Sequence, residues 1–130
     1  MRLLIRAQDI AWTAIGLSEH GHVNVSRRVD SRPETILNAV LGFLREEKTD
    51  LQAIDSIAVV RGTGSFTSLR NSLTFVNAVH YVRDVPIAGV VATSTEGDKA
   101  VFARLARARA ARKTLLPSYG RKAMITKAKK

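Results

Sequence analysis

The sequence predicts an α/β domain built on a mixed five-stranded sheet, with its elements in the order βββαβαβ. Three short segments rich in Ile, Val, Leu, Trp and Thr open the chain, and two longer segments with helical apolar spacing follow. Strand, helix and strand succeed one another across residues 56–91, which makes a right-handed parallel crossover. The 130 residues are one domain's worth, too few for two well-buried cores.

The first strands are Arg2 to Arg6, Ala11 to Leu17 and His22 to Val29, and Ser18-Glu19-His20-Gly21 has the composition of a hairpin turn between the last two. Ser31-Arg32-Pro33-Glu34 reads as a helix start, since proline is tolerated in the first turn. From Pro33 to about Lys48, residues Ile36, Leu37, Val40, Leu41, Phe43 and Leu44 cover an arc of about 160°. Ser56 to Val60 is a β-branched run of the kind a buried strand shows, broken by Arg61-Gly62-Thr63-Gly64-Ser65.

A second helix is expected from about Phe66 to Arg83. Its apolar residues Phe66, Leu69, Leu73, Phe75, Val76, Val79 and Val82 span roughly 200°, with Arg70, Asn71, Thr74 and Asn77 on the other side. One sheet face cannot cover that much of a helix, so a second surface is expected on it. Pro86 to Val91 is the last strand, and Glu96 to Lys113 reads as a third helix rich in Ala and Arg. Leu115-Leu116-Pro117-Ser118-Tyr119-Gly120 interrupts it, and Arg121 to Lys130 has the composition of a loose tail.

The net charge of +10 is unevenly placed. Residues 1–98 carry 10 Lys/Arg against 11 Asp/Glu, whereas residues 99–130 carry 11 Lys/Arg and no acid. A near-neutral domain over residues 1–98, followed by a basic helix and tail over 99–130 that is not a domain of its own, describes the chain better than a uniformly basic protein. The 45% hydrophobic content excludes a disordered polycation, and apolar runs of only a few residues predict no membrane span. The absence of cysteine excludes disulfides, thiolate metal sites and a cysteine nucleophile, and suits a reducing cytoplasm. The opening Met1-Arg2-Leu3-Leu4-Ile5-Arg6 is too soon interrupted by charge for a signal peptide.

The strongest local signal is Val60-Arg61-Gly62-Thr63-Gly64-Ser65-Phe66-Thr67-Ser68-Leu69-Arg70. A strand opening through two glycines into a helix start can aim backbone N–H groups at an anion, with Arg61 or Arg70 assisting. It is neither a P-loop, lacking Gly-Lys-Ser/Thr, nor a dinucleotide fingerprint, whose third glycine falls on Thr67. The plainer reading is a tight glycine turn with Ser65 or Thr67 capping the helix.

The same segment resembles the Arg-Gly-Pro-Gly-Ser-Phe-Thr-Gly-Leu-Arg signature of the TsaB (YeaZ) family, bacterial members of the actin-like ATPase (RNase H-like) fold superfamily. Arg61, Gly62, Gly64, Ser65, Phe66, Thr67, Leu69 and Arg70 match, while Thr63 and Ser68 replace the family's Pro and Gly. Met1-Arg2-Leu3-Leu4, Asp55-Ser56-Ile57-Ala58-Val59 and Val85-Pro86-Ile87-Ala88-Gly89-Val90 resemble the family's strands around the signature, and Leu116-Pro117-Ser118-Tyr119-Gly120-Arg121 its C-terminal Pro-x-Tyr-x-Arg element. The resemblance spans nearly the whole chain at low identity outside the signature, without the family's second subdomain.

The resemblance implies a single actin-like subdomain and a non-catalytic role. TsaB-like proteins support TsaD in making N6-threonylcarbamoyladenosine on tRNA, and they pair with TsaD or with themselves through the two helices of the N-terminal subdomain. On this chain that implies an interface involving Leu37, Leu41, Leu44, Ser72, Leu73, Val76 and His80. Where the family's first strand ends in Asp-Thr-Ser/Ala-Thr, this chain has Ala7-Gln8-Asp9-Ile10, and Ala7 cannot help hold a nucleotide-bound metal. No cofactor is expected. Val76 and His80 are bulkier than the small residues usual on that face, so partnering helices must sit farther apart or interdigitate differently.

Other constellations are weaker. His20 and His22 flank a turn glycine, where solvent-exposed polarity is the plainer reading than a metal pair, and His80 lies on an apolar arc as a packed residue or an interface hydrogen-bonding group. Asp9, Asp30, Asp50, Asp55, Asp84 and Asp98 form no acid/base or two-metal motif, and Ser65 lacks the glycines of a nucleophile elbow. No catalytic residue is predicted. The expected third helix places Arg104, Arg107, Arg109, Arg112 and Lys113 along one basic element, with Arg104, Arg107, Arg112 and Lys113 as candidate phosphate contacts. This supports an alternative reading, a small RNA-binding adaptor that contacts the tRNA backbone and, with so few aromatic residues, does not stack on bases.

Overall fold

A computed structural model describes residues 1–30, 32 and 35–116 of the chain. Strand β1 (Arg2–Arg6) lies in the middle of the sheet and sends alternate side chains to opposite faces. It pairs antiparallel with β2 (Trp12–Glu19), which turns through His20 and Gly21 into β3 (His22–Asp30). On its other side β1 pairs parallel with β4 (Ser56–Gly62), which pairs parallel with β5 (Ile87–Val91). The sheet order β3-β2-β1-β4-β5 is the mixed five-stranded sheet that the sequence predicts.

Helices α1 (Ile36–Glu46) and α2 (Phe66–Arg83) cover one face, over Leu3, Ile5, Ile15, Ile57, Val59 and Ile87. Helix α3 (Asp98–Arg107) covers the other, where Val101, Phe102 and Leu105 meet Leu4, Ala14, Ala58, Val60 and Ala88. The sheet is therefore buried on both sides, which is why β4 reads as a continuous apolar run with no alternation. The second helix has the expected bounds. The expected start of the first at Ser31, Pro33 and Glu34 lies outside the described residues, as do residues 117–130 with the Pro-x-Tyr-x-Arg element and the tail.

The third helix is shorter than the sequence suggests. It ends at Arg107, and Ala108 is already extended at φ −66°, ψ 144°. The Ala-rich continuation has good helix propensity, but two tertiary demands override it. Arg2 Nη1 donates to the carbonyls of Leu105 at 2.9 Å and Ala108 at 2.8 Å, satisfying acceptors at the helix end. Beyond it, Ala111 exchanges two backbone hydrogen bonds of 2.9 Å with Ile87, covering part of the β5 edge. Arg109, Arg112 and Lys113 consequently lie on an extended strap and not on the basic helix that the sequence predicts.

At the opposite end of α3, Arg6 is 1% exposed and donates from Nη1 to Asp98 Oδ1 at 2.7 Å, from Nε to Gln8 Oε1 at 2.7 Å and from Nη2 to Thr93 O at 3.2 Å. Arg2 and Arg6, on one face of one strand, hold the two ends of the helix. Replacing Arg6 by Ala leaves Thr93 O and Gln8 Oε1 without their donor and removes a buried ion pair, so Arg6→Ala is expected to lower the unfolding free energy by about 3–5 kcal/mol. Asp55→Ala, which breaks the exposed pair with the Met1 ammonium, is expected to leave the urea midpoint nearly unchanged. Equilibrium denaturation of both variants checks this contrast.

Candidate functional site

The loop between β4 and α2 is built against the end of β1. Gly64 has φ +131°, and a Cβ there would sit 2.7 Å from the Gln8 carbonyl oxygen. Only glycine permits both the conformation and the approach. Ser65 N donates to Gln8 O at 2.9 Å, and the Gln8 amide donates to Thr63 O and, at 2.7 Å, to Ala92 O. The Ser65 hydroxyl accepts from Ser68 N at 3.3 Å and so caps α2, the capping role that the plainer sequence reading gives it. Ser68 Oγ in turn donates to Asp9 O at 2.9 Å.

The glycine loop is thus occupied in joining β1, β4, α2 and the segment after β5. Ala7 is buried in the α1/α2 core and Gln8 is consumed by the loop. Of the flanking arginines, Arg61 lays its side chain on Gly89 and donates to Leu116 O at 2.9 Å, while the Arg70 guanidinium lies 5.2 Å from the Phe66 ring centroid. Thr67 is exposed and Leu69 is fully buried. Ser65 has no histidine or acid among its hydrogen-bond partners, and no group of three or more His, Asp or Glu among the described residues can hold a metal.

The helix residues expected at a partner interface divide into two sets. Leu44, Ser72, Leu73 and Val76 are buried by the chain's own sheet and helices, so they cannot supply an accessible contact, and this corrects their assignment. Ser68 and Ser72 of α2 are buried together with Leu69, Leu73 and Val76, while Phe66 and Val82 are exposed. The signal that the two serines share a face was their i, i+4 spacing. Leu37 is 48% exposed, Leu41 is half-buried, and His80 donates from Nδ1 to Val85 O at 2.8 Å at the end of α2. Tyr81 and Val82 are exposed at the C-terminal end of α2, Phe66 in its first turn and Leu37 on α1. Glu46 and Glu47 of α1 pair with Arg27 of β3, so Leu37 and Leu41, on the other flank of α1, lie toward α2.

The candidate phosphate contacts are likewise divided. Arg104 pairs with Glu96 at 3.0 Å and Arg112 with Asp84 at 3.4 Å. The Glu96 carboxyl is held below the usual carboxylate range, first by the Thr93 N–H and then by Arg104. Arg107 and Lys113 have no acidic partner among the described residues. Asn77, on the polar side of α2, clasps the strap with a pair of hydrogen bonds to Leu115, 3.0 Å from its Nδ2 to Leu115 O and 2.9 Å from Leu115 N to its Oδ1.

The close approach at Gly64 has a measurable consequence. Gly64→Ala is expected to cost more than about 1 kcal/mol, because an added methyl meets backbone at a positive φ. Gly42→Ala in α1, where an added Cβ meets nothing within 4 Å, is expected to stabilise the fold by about 0.5–1 kcal/mol. Thermal melts of the two variants report opposite signs.

In sequence, the chain matches the family described as "TsaD: tRNA N6-adenosine threonylcarbamoyltransferase" over residues 31–103, more than half its length. No curated protein matches it in sequence. In structure it is similar to YeaZ from Pseudomonas aeruginosa, at a TM-score of 0.59 and 24% identity over 69% of this chain and 43% of that one. It is equally similar to an uncharacterized protein with similarity to peptidase YEAZ from Pseudomonas aeruginosa, at a TM-score of 0.59 and 24% identity over 69% of this chain and 42% of that one. The chain spans less than half the length of either structure. With a matching signature loop, the mixed five-stranded sheet and this sequence match, the chain belongs to the TsaD family of tRNA N6-adenosine threonylcarbamoyltransferases and has the fold of a TsaB (YeaZ)-like subdomain.

Proposed function

We propose that this protein is a non-catalytic TsaB-like subunit that supports N6-threonylcarbamoyladenosine formation on tRNA by pairing, with itself or with a TsaD-like catalytic subunit, through the outer face of α1 and α2. The observation that carries the reading is the open apolar face. Tyr81 is 88% exposed and Val82 77%, neighbours at the end of α2, and Leu37 is 48% exposed on α1, both helices covering the side of the sheet away from α3. Large apolar side chains grouped on one face mark an association surface more often than scattered exposure does. Family membership supplies the partner class, and the structural commitment of the glycine loop supports a role without chemistry at that loop.

Substitutions at Leu73 or Val76 would damage the core and so cannot test this reading; those at Leu37 and Val82 can. Leu37→Glu with Val82→Glu is expected to leave the melting temperature close to that of the parent and to weaken co-purification with a TsaD-like partner from the native organism at least tenfold. Threonylcarbamoyladenosine in the tRNA nucleosides of that strain should fall in parallel. Retention of the partner and of the modified nucleoside in the double variant refutes the proposed interface. Arg107→Glu with Lys113→Glu is expected to leave partner binding intact, whereas loss of the modified nucleoside with the partner still bound favours the tRNA-contacting alternative.

A further inference from the structure

A second open surface lies at the far side of the sheet from the strap. Strand β3 ends the sheet, and its outer edge meets no strand among the described residues. Helix α3 runs beside it in the opposite direction. Arg28 of β3 donates from Nε to Asp98 Oδ2 at 2.8 Å at the start of the helix, and a Cβ on Gly21, at the start of the hairpin's return, would lie 3.8 Å from Arg107 Cγ at its end. Between helix and strand lies a groove of about 330 Å³, lined along α3 by Lys99, Phe102, Ala103 and Arg107 and on the hairpin side by Val23.

The charges of this groove are unbalanced in a specific way. Its neighbours Arg28 and Arg104 are paired, Arg28 with Asp98, which Arg6 shares, and Arg104 with Glu96. Lys99 and Arg107 have no acidic partner among the described residues, and no acid lines the groove. Eight residues apart on a helix, they are separated by about 12 Å along its axis. In an extended strand, side chains four residues apart face the same way and lie about 13 Å from each other. The side chain midway between them would lie over Ala103 and the apolar floor.

We propose that the free edge of β3 and the groove beside α3 accept an extended acidic segment of a partner protein as a sixth strand, with Lys99 and Arg107 pairing to carboxylates four residues apart. The edge supplies backbone hydrogen bonds and the groove reads alternate side chains, the division of labour in strand addition. A nucleic acid fits less well, because Phe102 is 2% exposed and offers no ring face for stacking. The chain's own last ten residues have five cations and no acid, the wrong sign for this groove. The proposal goes beyond the α1/α2 pairing and stands without it, since it concerns the opposite face and other residues.

The test uses the full chain and a synthetic Thr/Val-rich peptide with two Glu four residues apart and Val midway. Its binding is followed by fluorescence anisotropy, and β3 amide exchange by mass spectrometry. The peptide is expected to bind and to slow exchange in β3. Lys99→Glu with Arg107→Glu, both at exposed positions, is expected to weaken it at least tenfold without lowering the melting temperature, and a matching two-Lys peptide should bind the double variant in its place. Absence of binding by the Glu peptide, binding that the double variant leaves unchanged, or unprotected β3 amides overturns the proposal. Binding of polyuridylate that depends on the same two cations in place of peptide binding also overturns it, in favour of a nucleic-acid groove.

Discussion

The ion pair between Arg6 and Asp98 is the contact on which the rest of the structure depends. A guanidinium 1% exposed in the central strand must be matched by charge and acceptors, and Asp98, Gln8 and Thr93 provide them. That requirement places the start of α3 over the end of β1. Two residues along the same strand face, Leu4 enters the core beneath α3, and two further back Arg2 takes the carbonyls at the helix end. Burial lowers the Arg2 guanidinium from its usual pKa, against the attraction of Asp55. Gln8, next in the series, passes the constraint to the glycine loop. A period-two pattern in one short strand therefore positions a helix, both of its ends and the loop that carries the family signature.

This arrangement changes the meaning of the glycine loop. Its sequence form, strand to glycines to helix start, is compatible with an anion cradle, and its geometry is that of a joint. The Ser65 N–H and hydroxyl are engaged, the Gly64 approach is filled by Gln8 backbone, and Arg61 is drawn away to Leu116. The loop holds α2 in place, and α2 with α1 forms the face on which the proposed pairing rests. The buried residues of α2 are Ser68, Leu69, Ser72, Leu73 and Val76, while Tyr81 and Val82 near its end are exposed.

Charge shows the same division between composition and placement. The basic excess of residues 99–130 is real, but within the described part several of its cations serve the fold. Arg104 closes on Glu96 near the start of α3, and Arg112 fastens the strap to Asp84 at the left-handed end of α2. What remains unneutralised is narrower and more directional than a basic patch, with Lys99 and Arg107 two helical turns apart beside a free strand edge and Arg109 and Lys113 on the strap. These exposed pairs contribute little to stability individually, and their effect is to decide which cations are left for other partners.

Strand and helix identity, their order and the family signature were legible in the sequence, because periodicity, glycine punctuation and β-branched runs act over a few residues at a time. The α2 bounds, the continuous apolar β4 and the capping by Ser65 belong to this local chemistry. The placement of Leu73 and Val76 in the core was not legible, since their wide apolar arc does not say which part meets the sheet. Nor was the end of α3, where Ala and Arg favour helix continuation and a distant Arg2, with the open edge of β5, ends it. The sequence by itself determined the class of fold, the family and the sign and location of the charge. Only the tertiary structure decided which cations and apolar side chains are free, because that depends on partners contributed by residues far away in the chain.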